Sequence, residues 1–240
     1  MDLIGVIMPD IKPKAVLFDK DGTLFDFQAT WGRFGVDFLT DLSAGDAGLR
    51  QRLADRVLLD LERALFHPDS PLIAGTNAEV VDLLLQELPA SSAQELIEQI
   101  AVASSRVVLV EAVPLRPVLF GLRAAGLKLG IATNDAEAAA RAHVAAVDVE
   151  TAFDFIAGFD SGFGGKPAPG MCLGFCEAVG VPPEQTLMVG DSTHDLHAGR
   201  AAGMICVGVL TGPADHAALA PYADVVLPDI GHLAAYLGLT

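Results

Sequence analysis

The sequence predicts an α/β fold, in which a parallel sheet is covered by helices on both faces and a helical segment is inserted after the first strand. From Glu111 to the C-terminus, short apolar runs alternate with helical patterns, as in parallel sheets. From about Ala29 to Ser105 the chain has long amphipathic helical patterns and no convincing strand. We therefore expect an α/β core of residues 1–27 and 108–240 and an all-helical cap domain of residues 28–107.

Six apolar runs are the candidate strands of the sheet. The first is Ala15–Phe18, ahead of the insertion. The others are Leu127–Ala132, Phe153–Ala157, Thr186–Val189, Met204–Val209 and Val225–Leu227. The helical patterns among them are Pro117–Ala125, Ala136–Ala146, Gly170–Val179 and Asp195–Ala202. Short apolar runs bounded by turn residues are typical of strands that are buried on both faces.

Apolar spacing and capping signals predict the helices of the inserted segment. Leu49–Phe66 repeats apolar residues at helical spacing. Two further helices are expected to open at capping boxes, Thr76 with Glu79 and Ser92 with Glu95. In a capping box, a hydroxyl and a carboxylate bind the first backbone N–H groups of the helix.

Composition excludes several classes of function. The formal net charge of −16, from 31 acidic and 15 basic residues, would repel nucleic acid and anionic membranes. Apolar residues make up 52% of the chain, which indicates a large core, but the apolar runs are too short to span a membrane. An acidic Asp2 and the lack of a cleavage site argue against a signal peptide. Three cysteines without a CxxC pair fit reduced thiols, so a cytoplasmic protein is expected.

Polar and charged side chains collect at the ends of four predicted strands, where open parallel sheets bind ligands. The four segments are Asp19–Thr23, Ala132–Asp135, Gly164–Pro169 and Val189–Asp195. Together they offer carboxylates, a hydroxyl and a lysine. Each segment alone could be an ordinary turn or helix cap, but four in chain order would require four independent coincidences.

The first of these segments places two carboxylates around one lysine. If the strand alternation continued, Asp19 and Asp21 would share one side and Lys20 would point to the other. Carboxylates this close repel each other and need a cation or a proton nearby. We expect Lys20 to point away from both and to have a structural role.

With the motifs DKDGT, ATN, GKPAPG and GDSTHDLHAGRAAGM, the chain resembles phosphatases of the haloacid dehalogenase (HAD) superfamily. The likeness covers nearly the whole chain and is nearest to members that are similar to phosphoglycolate phosphatases. It implies a Rossmann-like core with a helical cap after the first strand. It also implies a Mg²⁺-dependent hydrolase that acts on a small phosphomonoester through an aspartyl-phosphate intermediate.

The resemblance implies a role for each matching residue. Asp19 would be the nucleophile, and Asp21 would protonate the leaving alcohol and then deprotonate the attacking water. Thr133, Asn134 and Lys166 would hold the phosphoryl oxygens. Phosphoryl transfer needs mostly positioning and charge neutralisation, which such a set supplies.

The same resemblance implies a Mg²⁺ site. Its ligands would be Asp19, the main-chain carbonyl of Asp21, and Asp191, with Asp195 as a ligand or as the group that orients one. Mg²⁺ prefers carboxylate, carbonyl and water oxygens, so these residue types suit it. The metal and Lys166 would compensate the repulsion between the crowded carboxylates.

Alternatives remain open at this stage. One is a sugar-phosphate mutase, but mutase relatives carry a cap histidine where this chain has Trp31. Another is a non-catalytic member that binds a partner, although such proteins usually lose part of the acidic set. Asp21 argues against a dehalogenase, because dehalogenases of the superfamily lack that aspartate. Arg33 is the candidate for substrate recognition, and His194 is expected near the site or in solvent. The substrate, the oligomeric state and the role of residues 1–12 stay open.

Overall fold

In the computed structural model, the described residues are 12–74, 77–88, 91–104 and 107–239. They form two compact units. The first consists of the described parts of Met1–Phe25 and Glu111–Thr240, and the second of those of Asp26–Val110. That the second unit is a cap domain stays a prediction. Residues 1–11, and Thr76 of one predicted capping box, lie outside the described ranges.

The first unit is built on a six-stranded parallel sheet. In chain order the strands are β1 Ala15–Phe18, β2 Lys128–Ala132, β3 Phe155–Ala157, β4 Thr186–Gly190, β5 Ile205–Val209 and β6 Val225–Leu227. Their spatial order is β3-β2-β1-β4-β5-β6. All five pairings are parallel, which confirms the predicted sheet and the six predicted strands.

Helices of the first unit follow the strands as expected. Those of ten residues are Leu115–Ala124, Glu137–Ala146, Gly170–Val179 and Thr193–Ala202. Shorter ones are His216–Leu219 and Leu233–Tyr236, with single 3₁₀ turns at Glu150–Ala152, Pro183–Gln185 and Ile230–His232. The four predicted helices are thus present, with boundaries that differ from the predicted ones by two residues or fewer.

The core of this unit forms where a helix lies on the central strands. Phe175 and Cys172 of the helix Gly170–Val179 pack in one buried cluster with Leu17 of β1. Gly130 of β2 permits the close approach, because a Cβ there would lie 2.7 Å from the Phe175 ring. Burial raises the pKa of the Cys172 thiol to about 12, so this cysteine acts as a packing residue.

The second unit is mainly helical. A π-helical turn, Gln28–Gly32, leads into Arg33–Leu42, followed by Ala47–Arg56, Pro71–Ala74, Asn77–Leu85 and Ala93–Ser104. The capping box of the last helix is confirmed, since the Ser92 N–H donates to Glu95 Oε2 at 3.0 Å and the Glu95 N–H donates to Ser92 Oγ at 3.2 Å. Nowhere in the described ranges of the chain does a helix combine the length and apolar character needed to cross a membrane.

One expectation for the second unit is wrong, because it contains a short antiparallel hairpin, Leu59–Asp60 paired with Leu65–Phe66. The helical pattern of Leu49–Phe66 ends at Arg56. Leu58 adopts a left-handed conformation with φ 52°, and the Asp60 carboxylate accepts hydrogen bonds from the Glu62 and Arg63 N–H groups. Such local side-chain bonds compete with helix formation, so the apolar spacing alone was misleading.

Candidate active site

Three predicted site carboxylates meet at the carboxyl edge of the sheet. Asp19 directly follows β1 and Asp191 directly follows β4, and the Asp19 N–H donates to the Val189 carbonyl at 2.8 Å. Asp195 lies in the first turn of the helix Thr193–Ala202. Carboxylate oxygens of the three aspartates lie within 4.8 Å of one another, and all three residues are buried.

Asp195 is held by the start of its own helix. The N–H and hydroxyl groups of Ser192 donate to Asp195 Oδ2 at 3.0 and 2.7 Å, as a capping box requires. Asp195 Oδ1 lies 2.6 Å from Lys166 Nζ. This buried oxygen therefore faces the ammonium directly.

Lys166 is the cation of this cluster. Its Nζ atom donates to Asp19 Oδ1 at 2.6 Å and lies at the same distance from Asp195 Oδ1. Burial lowers the pKa of the lysine, but Asp19 and Asp195 raise it by more, so the final value is above the ordinary one. Lys166 therefore remains an ammonium.

The cluster carries more negative than positive charge. Burial raises the pKa of Asp19 to about 6, with Lys166 acting against the shift and Asp195 adding to it. Burial also raises the pKa of Asp191 well above its ordinary value, and the charges of Asp19 and Asp195 add to that shift. One lysine thus compensates three buried carboxylates only in part. A further cation would relieve this excess.

The residues present fit a divalent metal such as Mg²⁺. Carboxylate oxygens are the donors that hard cations prefer, and oxygens of three buried carboxylates lie within 4.8 Å of one another here. The Asp191 carboxylate is closely enclosed, because a Cβ at either Gly22 or Gly212 would collide with it. The Thr23 hydroxyl also donates to Asp191 Oδ1 at 3.3 Å.

The expectation that Lys20 points away from both aspartates is wrong. Strand β1 ends at Phe18, so the alternation of side chains no longer governs the next residues. The Lys20 side chain is fully buried and its Nζ lies 2.5 Å from Asp21 Oδ2. A tight turn produces this arrangement, in which the N–H groups of Leu24 and Phe25 both donate to the Lys20 carbonyl.

The predicted phosphate-binding residues have different surroundings. Thr133 directly follows β2, is buried, and its hydroxyl accepts from the Asp135 N–H at 3.1 Å. Asn134 forms two hydrogen bonds with the main chain of Lys166. Its side chain thus holds the loop that carries the lysine, a contact that the sequence pattern did not reveal.

Other candidate residues lie elsewhere. Arg33 belongs to the second unit, where its side chain is 76% exposed and pairs with Asp37 at 3.0 Å. Trp31 packs edge to face on Phe34. His194 is half-buried in the first turn of its helix. Sequence reasoning missed His143, a buried residue whose Nδ1 atom lies 3.1 Å from Lys20 Nζ.

A sequence profile of the haloacid dehalogenase-like hydrolases matches residues 13–203. The chain belongs to the haloacid dehalogenase-like hydrolase family. The phosphoglycolate phosphatase of Pseudomonas putida is 30% identical over 211 residues, 86% of this chain and 72% of that protein. The phosphoglycolate phosphatase of Escherichia coli is 35% identical over 122 residues, about half of each chain (50% and 48%). Within the haloacid dehalogenase-like hydrolases, these relatives give the enzyme class: the chain is a phosphoric monoester hydrolase.

Solved structures of haloacid dehalogenase-like proteins share the fold. A HAD family hydrolase from Deinococcus radiodurans, with bound phosphate and sodium, has a TM-score of 0.67 and 25% identity, over 96% of this chain and 97% of that one. The β-phosphoglucomutase of Clostridium difficile has a TM-score of 0.63 and 18% identity, over 95% of this chain and 96% of that one. The second likeness concerns the fold alone.

Proposed function

We propose that the protein is a Mg²⁺-dependent phosphatase that hydrolyses a small phosphomonoester, such as phosphoglycolate or another phosphorylated metabolite, through an aspartyl-phosphate intermediate. The observation that carries the proposal is the buried cluster of Asp19, Asp191 and Asp195 around Lys166. Its excess of carboxylates suits a hard cation, and the edge of the sheet where it lies is the usual position for a ligand.

Asp19 and Asp21 would divide the chemistry. In the first step an Asp19 oxygen attacks phosphorus while the ester bond breaks, and Asp21 gives its proton to the leaving alkoxide. In the second step Asp21 takes a proton from water, which attacks the same phosphorus. The Asp19–phosphorus bond then breaks, which releases inorganic phosphate and restores both side chains.

Charge on the phosphoryl group would be balanced by three groups and the metal. Lys166 supplies an ammonium, Thr133 a hydroxyl, and Asn134 its second amide proton, since the first bonds to the Lys166 carbonyl. Asp19, Asp191, the main-chain carbonyl of Asp21 and Asp195, as a ligand or an orienting group, would hold Mg²⁺. When bound, Mg²⁺ would neutralise charge on the transferred group.

Substrate choice would belong to the second unit, which we assign as the cap domain, with Arg33 as the candidate recognition residue. The P. putida relative is a phosphoglycolate phosphatase, which favours a small phosphorylated acid. The net charge of −16 disfavours nucleic acid as a substrate or partner. A cytoplasmic location fits a substrate of this kind and three free, buried cysteines.

A sugar-phosphate mutase is the alternative function, and the fold is compatible with it. A mutase must return the phosphoryl group to its substrate instead of giving it to water. Trp31 occupies the position at which mutase relatives carry a cap histidine, and its ring packs against Phe34. This residue favours hydrolysis. Bisphosphate-dependent isomerisation of a hexose phosphate would reverse that preference.

The test is a screen for phosphate release from phosphorylated acids, sugars and nucleotides, with Mg²⁺ or with EDTA. We expect release from at least one small ester with Mg²⁺, none with EDTA, and none from an Asp19→Asn variant. Acid quenching during turnover should trap phosphate on the wild-type protein. If the wild type releases no phosphate from any ester, the proposed function is wrong.

A further inference from the structure

A buried lysine contacts the proposed general acid, and the proposed function gives it no role. Lys20 Nζ lies 2.5 Å from Asp21 Oδ2, 3.1 Å from His143 Nδ1 and 3.3 Å from Asp135 Oδ2. The partners come from the turn after β1, the loop after β2 and the helix Glu137–Ala146. A lysine ammonium has three N–H donors, so it can contact groups from all three segments.

The charges within this group of four residues are complementary. Lys20 Nζ contacts the carboxylates of Asp21 and Asp135 on separate segments, which is the environment of an ammonium ion. Burial, and then the charge of Lys20, lower the pKa of His143. The imidazole is therefore neutral at pH 7. Because its Nδ1 faces an ammonium, Nδ1 accepts and the ring proton lies on Nε2.

The geometry points to Lys20 as a positioning residue for Asp21, an inference that rests on the proposed function. The ammonium fixes one oxygen of the Asp21 carboxylate, and Asp135 and His143 fix the ammonium. A general acid must lie within hydrogen-bond reach of the oxygen that it protonates. A carboxylate that is free to rotate would meet this condition for only part of the time.

Stability alone does not explain a charged residue at position 20. The side chain is fully buried, and replacing buried ion pairs by apolar residues of similar volume is often neutral or stabilising. The ammonium is instead placed where it contacts a side chain that the reaction uses.

Lys20→Met is the first test, because methionine preserves much of the chain length and removes the charge. Lys128→Met is the matched control. Lys128 pairs with Asp154 at the start of β2, whereas the candidate site lies beyond the end of that strand. Turnover is measured with phosphoglycolate and with p-nitrophenyl phosphate, whose leaving group needs no proton. We expect Lys20→Met to slow the alkyl ester ~10–10²-fold and the nitrophenyl ester much less. Lys128→Met should leave both rates unchanged.

A double-mutant cycle separates positioning from general stabilisation. If Lys20 acts through Asp21, the Lys20→Met change should cost about twofold at most in an Asp21→Asn background, because the positioned carboxylate is gone. Equal slowing of both esters by Lys20→Met, or an undiminished loss in the Asp21→Asn background, would overturn the inference. If the wild type releases no phosphate from any ester of the screen, the proposed function and this inference fail together.

His143 provides a second test that does not require Lys20 to be replaced. His143→Asn retains an acceptor near the position of Nδ1, whereas His143→Leu removes it. We expect the leucine variant to slow phosphoglycolate turnover more than nitrophenyl phosphate turnover, and the asparagine variant to recover most of that loss. The ¹⁵N NMR spectrum of the wild type should give the Nε2–H tautomer for His143. A proton on Nδ1 would contradict the arrangement.

Discussion

Two hydrogen bonds join the side chain of Asn134 to the main chain of Lys166. Asn134 Nδ2 donates to the Lys166 carbonyl at 3.0 Å, and the Lys166 N–H donates to Asn134 Oδ1 at 2.8 Å. The loop after β2 thereby fixes the loop that carries the buried ammonium, although the two residues are 32 positions apart. An asparagine that could be assigned to the phosphate alone thus also aligns the lysine.

Asn134→Ala should reduce turnover with a modest effect on stability. Loss of both bonds frees the Lys166 main chain, and small displacements of a catalytic group can cost ~10²-fold in rate. The two bonds are worth about 1–3 kcal/mol of unfolding free energy together. Steady-state kinetics and denaturant unfolding measure the two effects. Unchanged kcat and KM would mean that Lys166 is held by other contacts.

Asp191→Asn should stabilise the protein in EDTA at neutral pH. The folded-state pKa of Asp19 is raised from 3.8 to about 6, and that of Asp191 is raised too, so the folded protein binds more protons than the unfolded chain. Stability without metal is therefore lost as pH rises from about 4 through 6. The Asp19 shift, from 3.8 to about 6, corresponds to about 3 kcal/mol. Burial raises the pKa of Asp191 itself, so Asp191→Asn removes that residue's own cost of ionising in the folded protein.

With Mg²⁺ bound, we expect the wild type to be more stable than the Asp191→Asn variant. A metal that binds only the folded state adds stability in proportion to RT ln(1 + [Mg²⁺]/Kd), and Asp191→Asn removes a charged ligand. Calorimetry at pH 8, with EDTA and with Mg²⁺, measures the difference for wild type and variant. The variant should melt higher in EDTA and gain less from Mg²⁺. A variant that melts lower in EDTA, or gains as much from Mg²⁺ as the wild type, would contradict the assignment of Asp191.

Sequence patterns were sufficient for the sheet and insufficient for the side-chain contacts of the turn after β1. Ala15–Phe18 is apolar throughout and is buried throughout, so its strand could be predicted directly. The direction of the Lys20 side chain could not be predicted in this way. Side chains alternate between the two faces only while the strand continues, and the strand ends two residues before Lys20. His143 lies 123 positions from Lys20, so no local pattern connects them.

Sequence patterns also failed to predict the hairpin of the second unit. Apolar spacing across Leu49–Phe66 fits a helix. Such spacing does not take into account a carboxylate that accepts hydrogen bonds from the turn N–H groups. Asp60 supplies those bonds, and Leu58 and Ala64 adopt positive φ angles of 52° and 55°. Local polar contacts therefore decided a structure that hydrophobic periodicity described incorrectly.

Gly212→Ala should reduce the affinity for Mg²⁺ and the activity. A Cβ at this position would collide with the Asp191 carboxylate, so the carboxylate must move. We expect a loss of activity of ~10-fold or more and a loss of about 1–3 kcal/mol in stability. Gly121→Ala is the control, since Gly121 lies in the helix Leu115–Ala124 and a Cβ there meets nothing within 4 Å. A Gly212→Ala protein with wild-type dependence on Mg²⁺ concentration would disprove the enclosure of Asp191.

Asp21→Asn should separate the two halves of the reaction. For an alkyl phosphate, the poor leaving group needs a proton in the transition state, so turnover should fall ~10²–10⁴-fold. Nitrophenolate leaves without a proton, so phosphorylation of Asp19 by p-nitrophenyl phosphate should be affected less. Hydrolysis of the aspartyl phosphate would still lack its base.

The expected observation for Asp21→Asn is therefore a burst of nitrophenol followed by slow turnover, with phosphate trapped on the protein. Rapid-mixing absorbance and acid quenching measure the two signals. Asp19→Asn is the control and should be inert with both substrates, because the nucleophile is gone. Equal slowing of both substrates without a burst would mean that Asp21 contributes through its main-chain carbonyl and the turn, and that another group moves the proton.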